Sequence, residues 1–538
     1  MGNYLNSMSA YTLYSKAVGS PYFADKTDIL DQIIPRIETT ENYICITRPR
    51  RFGKTIMANM ITSFLSKGCD ARSLFENLKI ASSDCYERNI NKHNVIFISF
   101  NEIPRHCKSY EQYIDRIEGK LIKDLKESYP DVEIDETDAV WDVFKSIYNA
   151  DNTARFIFVL DEWDYIFHRD FVTDDDRAAY IDFLSNLLKG MPYVSLAYMT
   201  GILPIAKYSS GSELNMFLEY TMASEELYSD YFGFTESEVD KLYQKYLTYQ
   251  SNPKVTREEL REWYDGYHTQ SGERVYNPRS VVASLTNNNL GNYWTSAGPY
   301  DEIYYYIEHN TDAVRDDLAR MVSGIAVPAK IKEYAATSMN LTTKDEIFSA
   351  MVVYGFLSYE KGCVSIPNRE LMDKFSAMLQ KEASLGYVYQ LAKESEKMLK
   401  ATLSGDTATM VQILEFAHNT EIPLLNYSSE TDLTAVVNLV YLSARDSYRI
   451  EREDKAGVGY VDFIFYPELD TKADCIILEL KVNHTAEEAV QQIKDKQYAL
   501  KFAPKLGEKR KYTGRILAVG IAYDKETKKH SCRIEVLS

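Results

Sequence analysis

Thr47-Arg48-Pro49-Arg50-Arg51-Phe52-Gly53-Lys54-Thr55 lies between an apolar run at 43–47 (YICIT) and a helix-forming run at 56–65 (IMANMITSFL). Strand, turn and helix in that order is the setting of a phosphate-binding loop. Backbone N–H groups at a helix N-terminus can meet phosphate oxygens. Lys54 can reach the β- and γ-phosphates of a nucleotide, and Thr55 can hold Mg²⁺. The usual G-x-x-x-x-G-K-[ST] pattern has a glycine where this chain has Arg48. Pro49 is expected to fix the turn instead, and Arg50 and Arg51 either meet phosphate or are solvated.

Further apolar runs follow at 94–100 (NVIFISF), 155–160 (RFIFVL) and 194–200 (VSLAYMT), with longer amphipathic stretches at 110–127 and 175–189 between them. Such runs suit strands buried on both faces of a parallel sheet. The expected fold class is α/β, with a doubly wound parallel sheet over residues 1–235. The segment 156–164 (FIFVLDEWD) ends an apolar strand in Asp161-Glu162. The carboxyl end of such a strand is where α/β sheets bind ligands. It reads as a Walker B element, with Asp161 supporting Mg²⁺ and Glu162 orienting the attacking water. Thr200, at the end of its strand, is a candidate γ-phosphate sensor.

From 236 to 410 the pattern turns helical, at 236–249, 257–264 and 301–323. A hairpin-like stretch follows at 354–366, turning at Lys361-Gly362. This middle region is expected to be winged-helix-like. The last region, 411–538, reads α-β-β-α-β: a helix at 430–444, strands at 460–466 (YVDFIFY) and 473–482 (ADCIILELKV), a helix at 486–502 and a strand at 515–523. In a strand, residues i and i+2 share a face, so Glu479 and Lys481 project together. If the strand of Asp462 pairs alongside, two carboxylates and an ammonium converge. Two carboxylates can hold Mg²⁺ or Mn²⁺, and the lysine can position water or neutralise an oxyanion. Gln492 and Tyr498 lie six residues apart, off one ideal helical face, so one is expected to line the site and the other to pack.

The whole chain of 538 residues carries a formal charge of -18, against general coating of nucleic acid. The charge is uneven. From Lys455 onward there are 15 Lys and Arg against 12 Asp and Glu, a net of +3, and the preceding residues hold 46 against 67, a net of -21. Only the C-terminal piece suits a phosphate backbone. The seven cysteines are scattered without a CxxC pair, which argues against a zinc site or disulfide framework and fits a reducing, cytoplasmic setting. No run reaches the roughly 18 apolar residues of a membrane span. The N-terminal 1–16 lacks the apolar core of a secretory signal.

Beyond these sites, the segments PYFADKTDIL, TRPRRFGKT, FIFVLDEWD, YMTGILPIAKY, YFGFTESEV, WYDGYH, YNPRSV, YWTSAG, GYVDFIF, ILELKV and QQIKDKQYA span nearly the whole chain. Together they resemble a bacterial family of AAA-ATPase-like proteins fused to a C-terminal PD-(D/E)XK nuclease-type domain. The resemblance implies that the missing glycine is normal, since the family's loop runs RPRRFGK[TS]. It assigns Lys54 and Thr55 to phosphate and Mg²⁺, and Asp161 and Glu162 to the Walker B role; Arg50, Arg51, Phe52 and Gly53 are the further nucleotide-binding candidates of the loop. It implies a nuclease core of Asp462, Glu479 and Lys481, with Glu430 as an added acidic ligand and Gln492 and Tyr498 as helix members. It attaches no chemistry to WYDGYH or YNPRSV.

The expected function is ATP binding and hydrolysis coupled to a metal-dependent DNA endonuclease. The expected cofactors are ATP and Mg²⁺ or Mn²⁺, the expected partner is DNA at the C-terminal region, and a homo-oligomer is left open. The rival reading is a regulatory ATPase whose nuclease-like domain binds nucleic acid or a partner without cleaving.

Overall fold

The computed structural model describes residues 2–135, 137–205, 213–222, 227–294, 311–331, 341, 343–381, 383–419, 430–456, 459–468, 470–502 and 512–537. The chain packs as two units, Met1–Gly298 with Ala329–Glu370, and Pro299–Pro328 with Leu371–Ser538. The stretch 236–410, expected as a middle region, is shared between them.

The first unit is built on β1 (Tyr43–Thr47), β2 (Asn94–Ser99), β3 (Phe156–Asp161), β4 (Val194–Gly201) and β5 (Leu218–Tyr220). They form one sheet in the order β2-β3-β4-β1-β5, and every pair is parallel. The apolar runs explain this. Phe156, Phe158 and Leu160 face one core layer with Phe144 and Trp163, while Ile157 and Val159 face the other with Phe64 and Tyr198. Alternate residues of one strand therefore fill both layers, so no polar face is available to solvent. The N-terminal segment adds to the β2 edge, where Leu5 bridges to Ile96. The buried Asp124 carboxylate accepts the N–H groups of Asn3, Tyr4 and Leu5 at 2.9, 2.7 and 3.1 Å.

Three helices of this unit, Glu236–Tyr249, Arg257–Tyr264 and Pro278–Asn287, begin at Thr235, Thr256 and Asn277, whose side chains accept N–H bonds from the first turn. They surround Tyr22, Phe234, Leu242, Tyr246 and Leu260. Helix Lys344–Tyr354 stops at Gly355 in a left-handed conformation. The hairpin strands Ser358–Glu360 and Cys363–Ser365 turn through Lys361 and Gly362, with φ of 48° and 85°. Two positive φ values are what a tight two-residue hairpin needs. Residues 301–310 of the expected 301–323 helix lie outside the described residues; Thr311–Val322 is helical.

The second unit holds a sheet of β6 (Tyr448–Ala456), β7 (Gly459–Pro467), β8 (Cys475–Val482), β9 (Ile516–Asp524) and β10 (Lys529–Val536), in that order. Only β8 and β9 are parallel. A parallel pair needs a crossover, and helix Ala486–Asp495 supplies it. The α-β-β-α-β reading therefore gains two outer strands, β6 and β10. Helices Tyr387–Ser404, Thr407–Asn419 and Glu430–Val440 belong to this unit. Among the described residues no helix is long and apolar enough to cross a membrane.

Candidate functional sites

The loop after β1 is closed from inside by Lys54. Its ammonium donates to the carbonyls of Arg48 and Pro49 at 2.8 and 2.9 Å. Arg51 and Gly53 take φ of 70° and 94°, turning successive N–H groups before the helix Lys54–Leu65 begins. A Cβ on Gly53 would meet nothing within 4 Å, so conformation demands glycine there and the space beside it is open for an anion. Thr55 is exposed at the same helix start.

Arg48 fills the glycine position by running under the loop. It is buried, and its guanidinium donates at 2.8 Å to the carbonyls of Thr47 and Tyr220, tying β1 to β5. It also sits 5.2 Å from the Phe232 ring centroid. Burial pulls its pKa down to about 10. Arg50 lies over the Tyr354 ring at 6.0 Å. Phe52 is buried, with its ring edge-on to Tyr267, so only its backbone faces the loop.

Register places Asp161 of β3 opposite Thr200 of β4, and Thr47 of β1 opposite Gly201 of β4. One strand therefore separates the loop from Asp161, a gap of about 10 Å between strand axes. Asp161 is fully buried, and neither carboxylate oxygen has a partner within hydrogen-bond limits. Burial, then the neighbouring Glu162, raises its pKa to about 7, while Thr55 and Lys54 oppose the rise. Burial lowers Lys54 to about 8 against the pull of Asp164, Glu162 and Asp161. These residues fit a nucleotide with a divalent cation: a buried carboxylate with unmet oxygens, a hydroxyl and an ammonium lie at the end of an open N–H cradle. Glu162 holds φ of 53°, a strained value for a residue with a side chain. The Thr200 hydroxyl donates to the Ile46 carbonyl at 2.9 Å, so as a sensor it offers only lone pairs.

Asp164 was not singled out by its sequence position. It is buried and accepts the N–H groups of Ile202 and Leu203 at 3.0 and 2.8 Å, holding the turn after β4. A Cβ on Gly201 would come within 2.5 Å of Asp164 Oδ1 and of Trp163, so the close approach needs glycine. A third acid, two residues beyond the Asp161-Glu162 pair, was the available signal.

In the second unit, β7 pairs with β8 through Phe463 and Leu478. There the Asp462 carboxylate takes the N–H of Leu480 at 2.7 Å. That bond draws Asp462 to Glu479 and Lys481. The Lys481 ammonium stands 3.3 Å from Glu479 Oε1, and Gln492 Nε2 donates to the same oxygen. Glu479 Oε2 is buried without a hydrogen-bond partner. Burial, then Asp462, raises the Glu479 pKa to about 7, with Lys481 opposing.

Gln492 lines this site through Glu479, and Tyr498, buried in the core with Val490 and Phe502, stands behind it with its hydroxyl beside Gln492. The helix stops at Asp495, Gln497 turns left-handed with φ of 55°, and Tyr498 opens a new 3-10 turn. The break swings Tyr498 back beside Gln492, whose hydrogen bond partly offsets the rise that burial causes in the phenol pKa. Gly520 makes the approach possible: it lies opposite Glu479, and a Cβ there would come 2.2 Å from the Ala486 carbonyl. Glu430 opens helix Glu430–Val440, but its side chain lies outside the described set. Among the described residues no group of three metal-binding side chains forms. Two carboxylates, one with an unmet oxygen, still fit a cation that completes its shell from water or phosphate.

Residues 17–210 match a family model described as AAA-ATPase-like, predicted AAA-ATPase. Residues 433–531 match the PD-(D/E)XK nuclease superfamily. No curated protein matches the chain. Among solved structures the chain is similar to a Walker-type ATPase of Pyrococcus abyssi, at 11% identity and a TM-score of 0.38, with 65% of this chain and 94% of that chain covered. It is also similar to the Aeropyrum pernix ORC2 protein, solved as ADPNP-ADP complexes, at 10% identity and a TM-score of 0.28, with 67% and 92% covered. By the two family models, the chain joins a region that matches the AAA-ATPase-like family, which holds the Lys54 loop, to a region that matches the PD-(D/E)XK nuclease superfamily, which holds Asp462, Glu479 and Lys481.

Proposed function

We propose that the chain binds and hydrolyses ATP at the Gly53-Lys54-Thr55 loop and that this controls cleavage of DNA at Asp462, Glu479 and Lys481. One observation carries the reading. Asp161 and Glu479 are buried carboxylates with unmet oxygens, each near a lysine, and such groups are costly unless a ligand completes them.

In the first site the loop N–H groups and the Lys54 ammonium bind the β- and γ-phosphates. Thr55 and Asp161 would hold Mg²⁺, and Glu162 orients the attacking water. In the second site Asp462 and Glu479, with Glu430 as a further candidate, would hold Mg²⁺ or Mn²⁺. A divalent cation at such carboxylates neutralises phosphoryl charge and makes water more acidic. Lys481 orients the attacking water or meets the developing oxyanion. Gln492 fixes the Glu479 carboxylate through Oε1, leaving Oε2 for the ligand. The scattered free thiols support a reducing, cytoplasmic setting.

Two assays on the purified full chain test the two halves separately. ATP binding is measured by calorimetry with Mg²⁺, and Lys54→Ala should abolish it. Plasmid nicking is measured in Mg²⁺ or Mn²⁺, and Lys481→Ala and Glu479→Gln should each slow it by about 100-fold or more. Nicking unchanged in Lys481→Ala would sink the nuclease half and leave the regulatory, non-cleaving reading.

A further inference from the structure

WYDGYH, residues 263–268, carries no chemistry in either proposed site, yet one of its side chains reaches the ATP loop. Tyr267 is buried, and its ring meets the ring of Phe52 edge-on at 5.0 Å between centroids. Its hydroxyl donates to the Gly355 carbonyl at 2.9 Å. Gly355 in turn presses on Pro49, where a Cβ on the glycine would come 2.6 Å from Pro49 Cβ. Two loop residues, the rigid Pro49 and the aromatic Phe52, are therefore backed by one hydrogen-bonded pair. The Phe52 carbonyl is held as well, by the N–H of Gly233 at 3.2 Å.

The backing complements the bonds inside the loop. There Lys54 donates to the carbonyls of Arg48 and Pro49, which leaves the third N–H of its ammonium for a phosphate. A phosphate that draws the ammonium further weakens those loop bonds. The outer contacts at Pro49 and Phe52 do not depend on Lys54 and persist. They matter more here than in a glycine-rich loop, because Arg48 replaces the first glycine and runs under the turn toward β5. Gly266 lets the Tyr267 backbone into place: it has φ of 105°, and a Cβ would come 1.9 Å from the Pro367 carbonyl. His268 extends the same anchor, its N–H donating to Ser358 Oγ at 2.9 Å.

We infer that Tyr267 is a positioning residue for nucleotide binding, which with Gly355 braces Pro49 and Phe52 so that the Gly53–Thr55 cradle keeps its shape when Lys54 turns to phosphate. The inference rests on the ATP reading above. It assigns a role to WYDGYH, and it ties the loop to the helix Lys344–Tyr354 and the hairpin that follows.

The test is calorimetric titration of ATP with Mg²⁺ into the full chain and into Tyr267→Phe, Tyr267→Leu and Tyr264→Phe, with melting temperature read without nucleotide. Tyr264 is the control. It is a buried tyrosine of the same segment, and its hydroxyl donates to the Gly291 carbonyl at 3.0 Å rather than toward the loop. Tyr267→Phe should raise the ATP Kd by about fivefold, the equivalent of one hydrogen bond. Tyr267→Leu should raise it further, and Tyr264→Phe should leave Kd unchanged at a similar loss of melting temperature. If Tyr267→Leu does not fold, Tyr267→Phe against Tyr264→Phe decides. Parent-like affinity in Tyr267→Phe, or equal weakening in Tyr264→Phe, overturns the inference and leaves the ATP reading standing. No ATP binding by the parent protein overturns both.

Discussion

At the scale of single residues, Asp161 and Glu479 hold protons more tightly folded than unfolded. Their pKa values rise from 3.8 and 4.5 to about 7, chiefly through burial. Between pH 4 and 7 the folded chain therefore binds more protons than the unfolded one, and stability falls as pH rises through that window. Lys54, lowered to about 8, acts in the opposite sense and only above that pH. Asp161→Asn should remove one charge that has no partner without ligand. We expect a higher melting temperature than the parent at pH 8, a flatter stability profile from pH 4 to 7, and no ATP hydrolysis. Melting curves across that range check this, and a lower melting temperature at pH 8 would contradict it. A gain in stability on losing Asp161 would mean that the folded site carries a cost which a ligand offsets. The sequence identified Asp161, Glu162, Asp462, Glu479 and Lys481 as candidates because acids and a lysine interrupt otherwise apolar strands. It could not show that Gln492 and Tyr498 converge, because the left-handed Gln497 that joins them breaks the helical period.

At the scale of elements, the second site depends on how closely helix Ala486–Asp495 lies on β9. Gly520 sets that distance. Gly520→Ala places a methyl 2.2 Å from the Ala486 carbonyl, so the helix must shift and carry Gln492 away from Glu479. Overpacking of this kind costs about 1–3 kcal/mol. We expect urea denaturation to show that loss, and plasmid nicking to fall further than stability alone explains. Full nicking in a destabilised Gly520→Ala would show that the helix does not position the site. Core strands were legible because burial on both faces leaves continuous apolar runs, as in Phe156–Asp161. The outer strands β6 (YRIEREDKA) and β10 (KHSCRIEV) were not. Each pairs on one side only and is rich in charge, so neither carries the apolar signal of a central strand. Lys494 is ion-paired with Glu535 of β10 and so is not a free cation for DNA.

At the scale of the molecule, two compact units each hold one buried carboxylate site, and the proposed function joins them by making nucleotide state govern cleavage. A net of +3 from Lys455 onward against -21 before it favours DNA contact at the second unit alone. The rate of plasmid nicking in Mg²⁺ with and without ATP measures that coupling. That rate is measured for the parent, Lys54→Ala and Lys481→Ala. ATP should change the parent rate, Lys54→Ala should nick at a rate ATP no longer alters, and Lys481→Ala should nick about 100-fold or more slowly in either condition. A parent rate indifferent to ATP, with ATP binding demonstrated in the same preparation, would contradict the coupling.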